Sequence, residues 1–390
     1  MKMETVRPEV EVQKLSFEFT GRGFEYFKIW IVNICLTVLT LGIYSAWAKV
    51  RTNSYFYGNT MLDSSHFSYL ANPVNILKGR IIALVIFAVY WGSWQVYPAA
   101  GIGFIAIGCL LFPFFLVSTM AFRMRNSAYR NIRFHFVKDL KGAYIVFLFP
   151  LGLVVLLTWL FYTGADTAGI LDAMIDSNQE TEELVRKEDF IFTAFMFALL
   201  PAIPWIDFLR TRFIINHVQY GKAGAKFNTG VWPFYKVYLV TFLAFLLVAL
   251  IFGLMVAAFV LGVDREFDSN MLTLVPAIVV IFYAITFYLS GLWKALRTNM
   301  INNNTQIGDN QLHSHLNGMK IGWIYLSNTM LIILTVGMLI PWAKIRMARY
   351  VASCTQLEVR DLEAIRSMKQ QDSNAFGEEM GDMFDMDFGM

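Results

Sequence analysis

Two sets of residues, separated by most of the chain, carry the same chemical groups at the same spacing. Asn33, Thr40, Gly42, Trp47, Lys49 and Arg51 recur as Asn328, Thr335, Gly337, Trp342, Lys344 and Arg346, within segments 29–62 and 324–357 that align without a gap. An amide in an apolar run followed by a Thr-x-Gly break is the pattern by which paired, interrupted helices hold a solute in transporters. The same groups also serve plain structure. An intramembrane amide glues helices through a hydrogen bond of about 1 kcal/mol, and Thr-x-Gly makes a packing turn. The Trp-Ala-Lys-x-Arg that follows also has two readings. One is an aromatic belt with a positive-inside anchor. The other is a ring of Arg51, Arg125, Arg210, Arg297 and Arg346 that contacts anionic lipid headgroups or an anionic solute.

Other chemistries find less support. His66, His135, His217, His313 and His315 have no carboxylate or cysteine at ligand spacing, so neither a metal nor a cofactor is expected. Cys35, Cys109 and Cys354 are scattered and imply no disulfide framework. There is no Ser/His, Cys/His or paired-carboxylate arrangement at catalytic spacing, which argues against an enzyme. Without a basic tract, nucleic acid is not an expected partner.

The elements that must position these groups are membrane helices. Hydrophobic residues make up 57% of the 390 and charged residues 16%. Mean hydropathy is +0.51. A soluble domain carries about a quarter charged residues, so the composition is that of a polytopic membrane protein. Runs at residues 81–96, 101–122, 143–162, 190–208, 235–261 and 271–292 are each apolar enough to be read as a spanning helix. Their centres lack ionisable residues, which argues against coupled transport by a carboxylate relay. Met1–Lys28 shows no cleavable leader, and the first hydrophobic segment is expected to direct insertion.

Loop charge sets the orientation. Arg123, Arg125, Arg130, Arg133, Lys138 and Lys141 follow the second run; Arg210, Arg212, Lys222 and Lys226 follow the fourth. Residues 164–189 are strongly acidic. Basic loops belong on the cytoplasmic side, which places the acidic loop outside and both termini in the cytoplasm. The two end segments then pose a parity problem, because each lies between basic flanks. A re-entrant or interfacial hairpin turning at Thr40-Leu41-Gly42 and Thr335-Val336-Gly337 resolves it, and such backbone must be buried or line a wet cavity. The chain then divides into about five tandem units opening at Gly21, Gly79, Gly142, Gly230 and Gly318. Each unit closes on a short strand-like alternation such as Phe67-Ser-Tyr69, Phe134-His-Phe136 or Leu357-Glu-Val359.

With these residues in hand, the chain resembles the YjgN family of bacterial inner-membrane proteins. The resemblance rests on Phe17-Glu-Phe19-Thr20-Gly21, Asn33, Leu39-Thr40-Leu41-Gly42-Ile43-Tyr44, Trp47-Ala-Lys, Tyr55 and Phe67-Ser-Tyr69. It extends over residues 15–362 and leaves the acidic tail outside. It implies residence in the bacterial inner membrane and brings no activity, substrate or catalytic residue.

The expected fold is an all-α, polytopic bundle of six spanning helices plus two short re-entrant or interfacial hairpins, with short β-like cytoplasmic segments. Residues 1–20 form a cytoplasmic segment, 21–360 the membrane domain, and 361–390 an acidic Met/Phe-rich tail with the composition of a docking segment or an idle solvated one. The leading functional expectation is uncoupled passage of a small solute or lipid through a cavity lined by the paired segments. The alternative is a lipid-organising scaffold that docks a partner through its tail.

Overall fold

The computed structural model describes residues 13–156, 159, 200–262 and 269–360; the acidic loop and the tail lie outside them. Its centre is a closed antiparallel barrel of ten short strands. Strand β1 (Gln13–Phe19) leads into helices α1 (Gly23–Leu39) and α2 (Ser45–Gly58). The hairpin β2 (Thr60–Leu62) and β3 (Ser65–Tyr69) follows, then α3 (Pro73–Val96) and α4 (Pro98–Arg125). Next come β4 (Ser127–Tyr129) and β5 (Ile132–Phe136). Helix α5 (Leu140–Leu156) contains a π-turn at Tyr144–Leu148. Beyond it lie α6 (Ala202–Asn216), β6 (Val218–Tyr220) and β7 (Ala223–Phe227). Then come α7 (Trp232–Gly262), α8 (Ser269–Asn303), β8 (Thr305–Ile307) and β9 (Asn310–Ser314). The chain finishes with α9 (Gly318–Leu334), α10 (Ile340–Ser353) and β10 (Thr355–Val359).

Strands this short form because their turns enforce pairing. Asp63 and Ser64 (φ 45° and 57°), and Arg130 and Asn131 (φ 51° and 64°), occupy left-handed backbone, while Gly221 and Gly308 begin the other two turns at φ 54° and 59°. Paired positive φ values are the signature of two-residue hairpins whose twist matches that of the strands. Alternation then sends one apolar set inward, matched across neighbouring strands as Phe17↔Leu62, Phe67↔Tyr129, Phe134↔Tyr220, Ala225↔Ile307 and Leu312↔Leu357. These side chains fill the barrel. Phe67 and Tyr129 lie 4.7 Å apart by ring centroids, and Phe134 and Tyr220 lie 5.0 Å apart. The buried hydroxyls are satisfied: Tyr129 donates to the Leu62 carbonyl at 2.6 Å, and Tyr220 to the Tyr129 carbonyl at 3.1 Å. The outward set, including Lys14, Glu18, His135, Gln219, Lys226 and Gln306, is polar, so the barrel wall suits water.

Each helical excursion leaves and re-enters the barrel between hydrogen-bonded strands. The same backbone bond closes every excursion: Thr20 N–H to Asn59, Leu70 to Asn126, Val137 to His217, Asn228 to Asn304 and His315 to Cys354, all at 2.8–3.0 Å. Asn59, Asn126 and Asn304 also cap their helices, their amides donating to the carbonyl four residues back. Asn72, Asp139 and Asn317 cap the starts of α3, α5 and α9. The second excursion therefore opens at Asn72-Pro73, and Gly79 lies inside α3 rather than at its start.

The helices pack on their chain neighbours, and α1 packs on α10 to close a ring above the barrel. Buried clusters occupy the seams between successive pairs near the barrel. At one seam α8 and α9 approach backbone to backbone, because a Cβ on Gly291 would lie 2.4 Å from the Gly322 nitrogen. Gly318 and Gly322 form the small-xxx-small face of that crossing.

This architecture corrects the all-α expectation. The strand-like alternations at Phe67-Ser-Tyr69, Phe134-His-Phe136 and Leu357-Glu-Val359 belong to a closed barrel, in which many short strands gain from ring closure what none has alone. The expected six spans plus two hairpins are also corrected. Four helices among the described residues are long and apolar enough to cross a membrane: Pro73–Gln95, Gly101–Arg125, Trp232–Ala257 and Ile278–Asn303. The runs at 143–162 and 190–208 lie partly outside the described residues. The described end of the latter is α6, which carries Asp207, Arg210 and Arg212.

Two outcomes are expected from this packing. Gly291→Val should lower the thermal stability of the detergent-solubilised protein by about 1–3 kcal/mol. Gly253→Val, whose added Cβ meets nothing within 4 Å, should change it far less. Burial pushes the Tyr220 hydroxyl up to about 12, with the neighbouring Tyr129 adding to the effect. Its folded-state pKa thus exceeds the unfolded value of about 10. The stability it contributes is fully present below pH 10 and is lost as pH rises through about 12. Thermal unfolding across that window should fall less steeply in Tyr220→Phe than in the wild type; parallel slopes would contradict the assignment.

Candidate functional site

The two sequence-paired segments form helical hairpins, α1–α2 and α9–α10, and their correspondence extends to individual hydrogen bonds. Asn33 Nδ2 donates to the Ala48 carbonyl at 3.4 Å, and Asn328 Nδ2 to the Ala343 carbonyl at 3.3 Å. Both amides are buried and each joins the two helices of its own hairpin. Thr40 Oγ1 donates to Leu36 O and accepts from Tyr44 N–H, while Thr335 Oγ1 donates to Leu331 O and accepts from Leu339 N–H. One hydroxyl thus ends the first helix and begins the second, so the chain turns without solvent.

The apex of each turn is conformationally costly. The Gly42 N–H bonds to Thr37 O at 2.8 Å and the Leu41 N–H to Val38 O at 3.1 Å; Gly337 and Val336 do the same with Ile332 and Ile333. This is the Schellman pattern, whose left-handed position usually holds glycine. Here Leu41 (φ 50°) and Val336 (φ 49°) occupy it, followed by Gly42 (φ 92°) and Gly337 (φ 88°). A β-branched residue in left-handed backbone costs of order 1–3 kcal/mol. Both side chains project outward, Leu41 94% and Val336 93% exposed, flanked by exposed Leu39, Ile43, Leu334 and Met338. Each hairpin spends backbone energy to present an apolar tip.

Of the five arginines expected to form a ring, Arg51, Arg210, Arg297 and Arg346 stand seven or eight residues before the cap that closes their helix, and Arg125 stands apart from them. Arg51 and Arg346 lie midway along the second helices of the two short hairpins. Arg125 is the last residue of α4, beside the barrel, and Arg210 is exposed on α6. Arg297 is committed to Asp207, with bonds of 2.7 and 2.9 Å between α8 and α6. Trp342, exposed on α10, lies against Phe27 of α1 at 5.2 Å between centroids, and Trp47 stacks on Tyr44 at 6.3 Å. Lys344 is exposed and Lys49 half-buried.

Sequence reasoning did not identify two features of this region. Asp207 links the third and fourth pairs through Arg297 and accepts a hydrogen bond from Tyr238, although its nearest basic neighbours in sequence are Arg210 and Arg212. Its signal was a lone acid in an apolar helix. Tyr55 and Tyr350 pin the starts of their hairpins: the Tyr55 hydroxyl accepts from Arg22 N–H at 2.8 Å and the Tyr350 hydroxyl from Asn317 N–H at 2.9 Å. Their equal spacing after Arg51 and Arg346 was legible, but the contact was not.

Valine at Gly42 or Gly337 should destabilise the protein by about 1–3 kcal/mol, because φ near +90° excludes it. Gly92→Val, near the C-terminal end of α3 where an added Cβ meets nothing within 4 Å, should be nearly neutral by the same thermal assay; equal tolerance at all three would remove the case for a special turn.

Comparison with known proteins agrees with a membrane setting. Inner membrane protein YjgN of Salmonella typhimurium is 26% identical over 376 residues, covering 89% of each chain. Inner membrane protein YjgN of Escherichia coli strain K12 is 24% identical over 404 residues, covering 95% of this chain and 96% of the relative. No solved structure matches. The family described as "Bacterial protein of unknown function (DUF898)" matches residues 14–383, reaching into the acidic tail that the resemblance had left outside, and the chain belongs to that family.

Proposed function

We propose that this protein is a lipid-organising scaffold of the bacterial inner membrane, with its barrel and both termini in the cytoplasm. The observation that carries this reading is the pair of short hairpins with exposed apolar tips. The apolar part of α1, residues 29–39, is roughly 16 Å long, about half of a ~30 Å hydrocarbon core. The longer helices α3, α4, α7 and α8 exceed that thickness. Because every excursion returns to the same end of the barrel, a short hairpin enters and leaves on one side, consistent with its basic flanks. The recurring closing bonds and strand pairs support five internal repeats, short in the first and last and long between.

Passage of a solute has less support. Side chains fill the barrel, and the Nδ2 groups of Asn33 and Asn328 and the hydroxyls of Thr40 and Thr335 are engaged within their own hairpins. What the hairpins offer the membrane is exposed apolar surface at their tips. A helical array of unequal depth perturbs the bilayer around it, thinning or ordering the lipid that meets the short members.

Reconstitution into vesicles tests this reading. Trapped phosphate and carboxyfluorescein should leak no faster than from protein-free vesicles. A spin label on Leu41→Cys, in a background lacking Cys35, Cys109 and Cys354, should collide with oxygen in preference to a water-soluble nickel relaxant. Accelerated efflux would move the assignment to passage, and a nickel-accessible tip would remove the hairpin from the lipid.

A further inference from the structure

The two short hairpins are not identical, and the difference is chemical. In the last hairpin, Arg346 Nη1 donates to Ser327 Oγ at 2.7 Å and to Asn328 Oδ1 at 3.1 Å. The guanidinium is thereby latched to its own hairpin and completes the Asn328 amide. In the first hairpin the position of Ser327 is held by Val32, so the hydroxyl half of the latch is missing. Asn33 is 5% exposed, and its Oδ1 has no hydrogen-bond partner among the described residues. Arg51 and Arg346 are both exposed, but Arg51 makes no hydrogen bond to that oxygen, whereas Arg346 bonds to its Asn328 counterpart.

The orphaned amide oxygen shows where Arg51 would dock if it behaved as Arg346 does. One neutral acceptor beside valine methyl groups is a poor exchange for the hydration of a guanidinium. An oxyanion is a better partner, because the planar fork matches two phosphate oxygens. The facing helix α1 carries a second cation. Lys28 is one helical turn before Val32 on the same face of α1, and its ammonium is held 4.7 Å over the Phe24 ring. In the last hairpin the same position is Trp323. Arg51 follows the hairpin tip by six residues from Ser45, roughly 9 Å of helix, which is the depth of a headgroup when the tip lies in the acyl region.

We propose that Arg51 and Lys28 form a binding site for the phosphate of an anionic phospholipid headgroup on the first hairpin, and that the last hairpin is its self-latched counterpart. This inference rests on the reading that the hairpin tips lie in lipid. It makes the two hairpins unequal: one is anchored to the membrane through its cations, the other braced internally.

The test is the thermal shift of the full-length protein in neutral detergent, titrated with short-chain phosphatidylglycerol, short-chain phosphatidylcholine or inorganic phosphate. Phosphatidylglycerol should stabilise the wild type most. Arg51→Ala should weaken that response about tenfold, the loss of one charge-assisted contact. Val32→Ser should weaken it similarly while raising the lipid-free melting temperature, since it restores the hydroxyl and lets Arg51 latch inward. Arg346→Ala should lower melting in every condition and leave the lipid preference intact. Wild-type responses from both Arg51→Ala and Val32→Ser would overturn the site, and an equal shift from inorganic phosphate would overturn its assignment to lipid. A lipid-immersed label at Leu41 together with a wild-type response from Arg51→Ala would sink this site alone and leave the scaffold reading standing.

Discussion

Adjacency of strands governs the whole molecule. The strand that enters each helical excursion and the strand that leaves it are hydrogen-bonded neighbours, so every excursion must end about 5 Å from where it began. An up-and-back pair is the simplest path that meets this condition. It returns the chain to the end of the barrel that it left, whatever the length of the helices. A pair can be long or short without disturbing its neighbours. The fixed quantity is the closing bond from the strand exit to the helix cap, held at 2.8–3.0 Å in all five excursions.

Cohesion is correspondingly local. The barrel core and the seam clusters lie at one end of the helices, whereas 6% of the apolar window of α7 and 11% of those of α3 and α8 are buried. Apolar surface left bare over most of a helix is stable only in lipid, where van der Waals contact with acyl chains replaces contact with protein. The exceptions are pointed ones: Gly291 against Gly322 brings α8 and α9 together, and Asp207 with Arg297 ties α6 to α8. Both sit on the sides of the fourth pair, which is thereby braced to the third and the fifth.

The parts legible in the sequence were those encoded by several residues acting together. The end hairpins could be read because an amide, a hydroxyl, a glycine, a tryptophan and an arginine recur in register, and the turn formed where Thr-x-Gly stands. The barrel was nearly invisible for the opposite reason. A three-residue strand such as Val218–Tyr220 presents a single well-buried inward side chain, too few for periodicity to register, and its stability arises from closure. The five arginines were grouped by residue type alone, without their place along each helix. Measured from the cap that ends each helix, Arg51 and Arg346 stand eight residues away and Arg210 and Arg297 seven, whereas Arg125 stands one away and lies at a different level. The Asp207–Arg297 bridge joins residues ninety positions apart, a separation that no local pattern encodes.

Barrel closure also dictates an order of events. The last seam pairs β1 with β10, the first and last strands of the described chain. During synthesis β1 therefore emerges with an open edge whose partner is made only after every helical pair has been threaded. Membrane insertion must precede completion of the barrel, and the finished sheet acts as a clasp on an array already in place. A truncated or stalled chain keeps that clasp open, with a bare strand edge facing water, where cellular quality control meets it first.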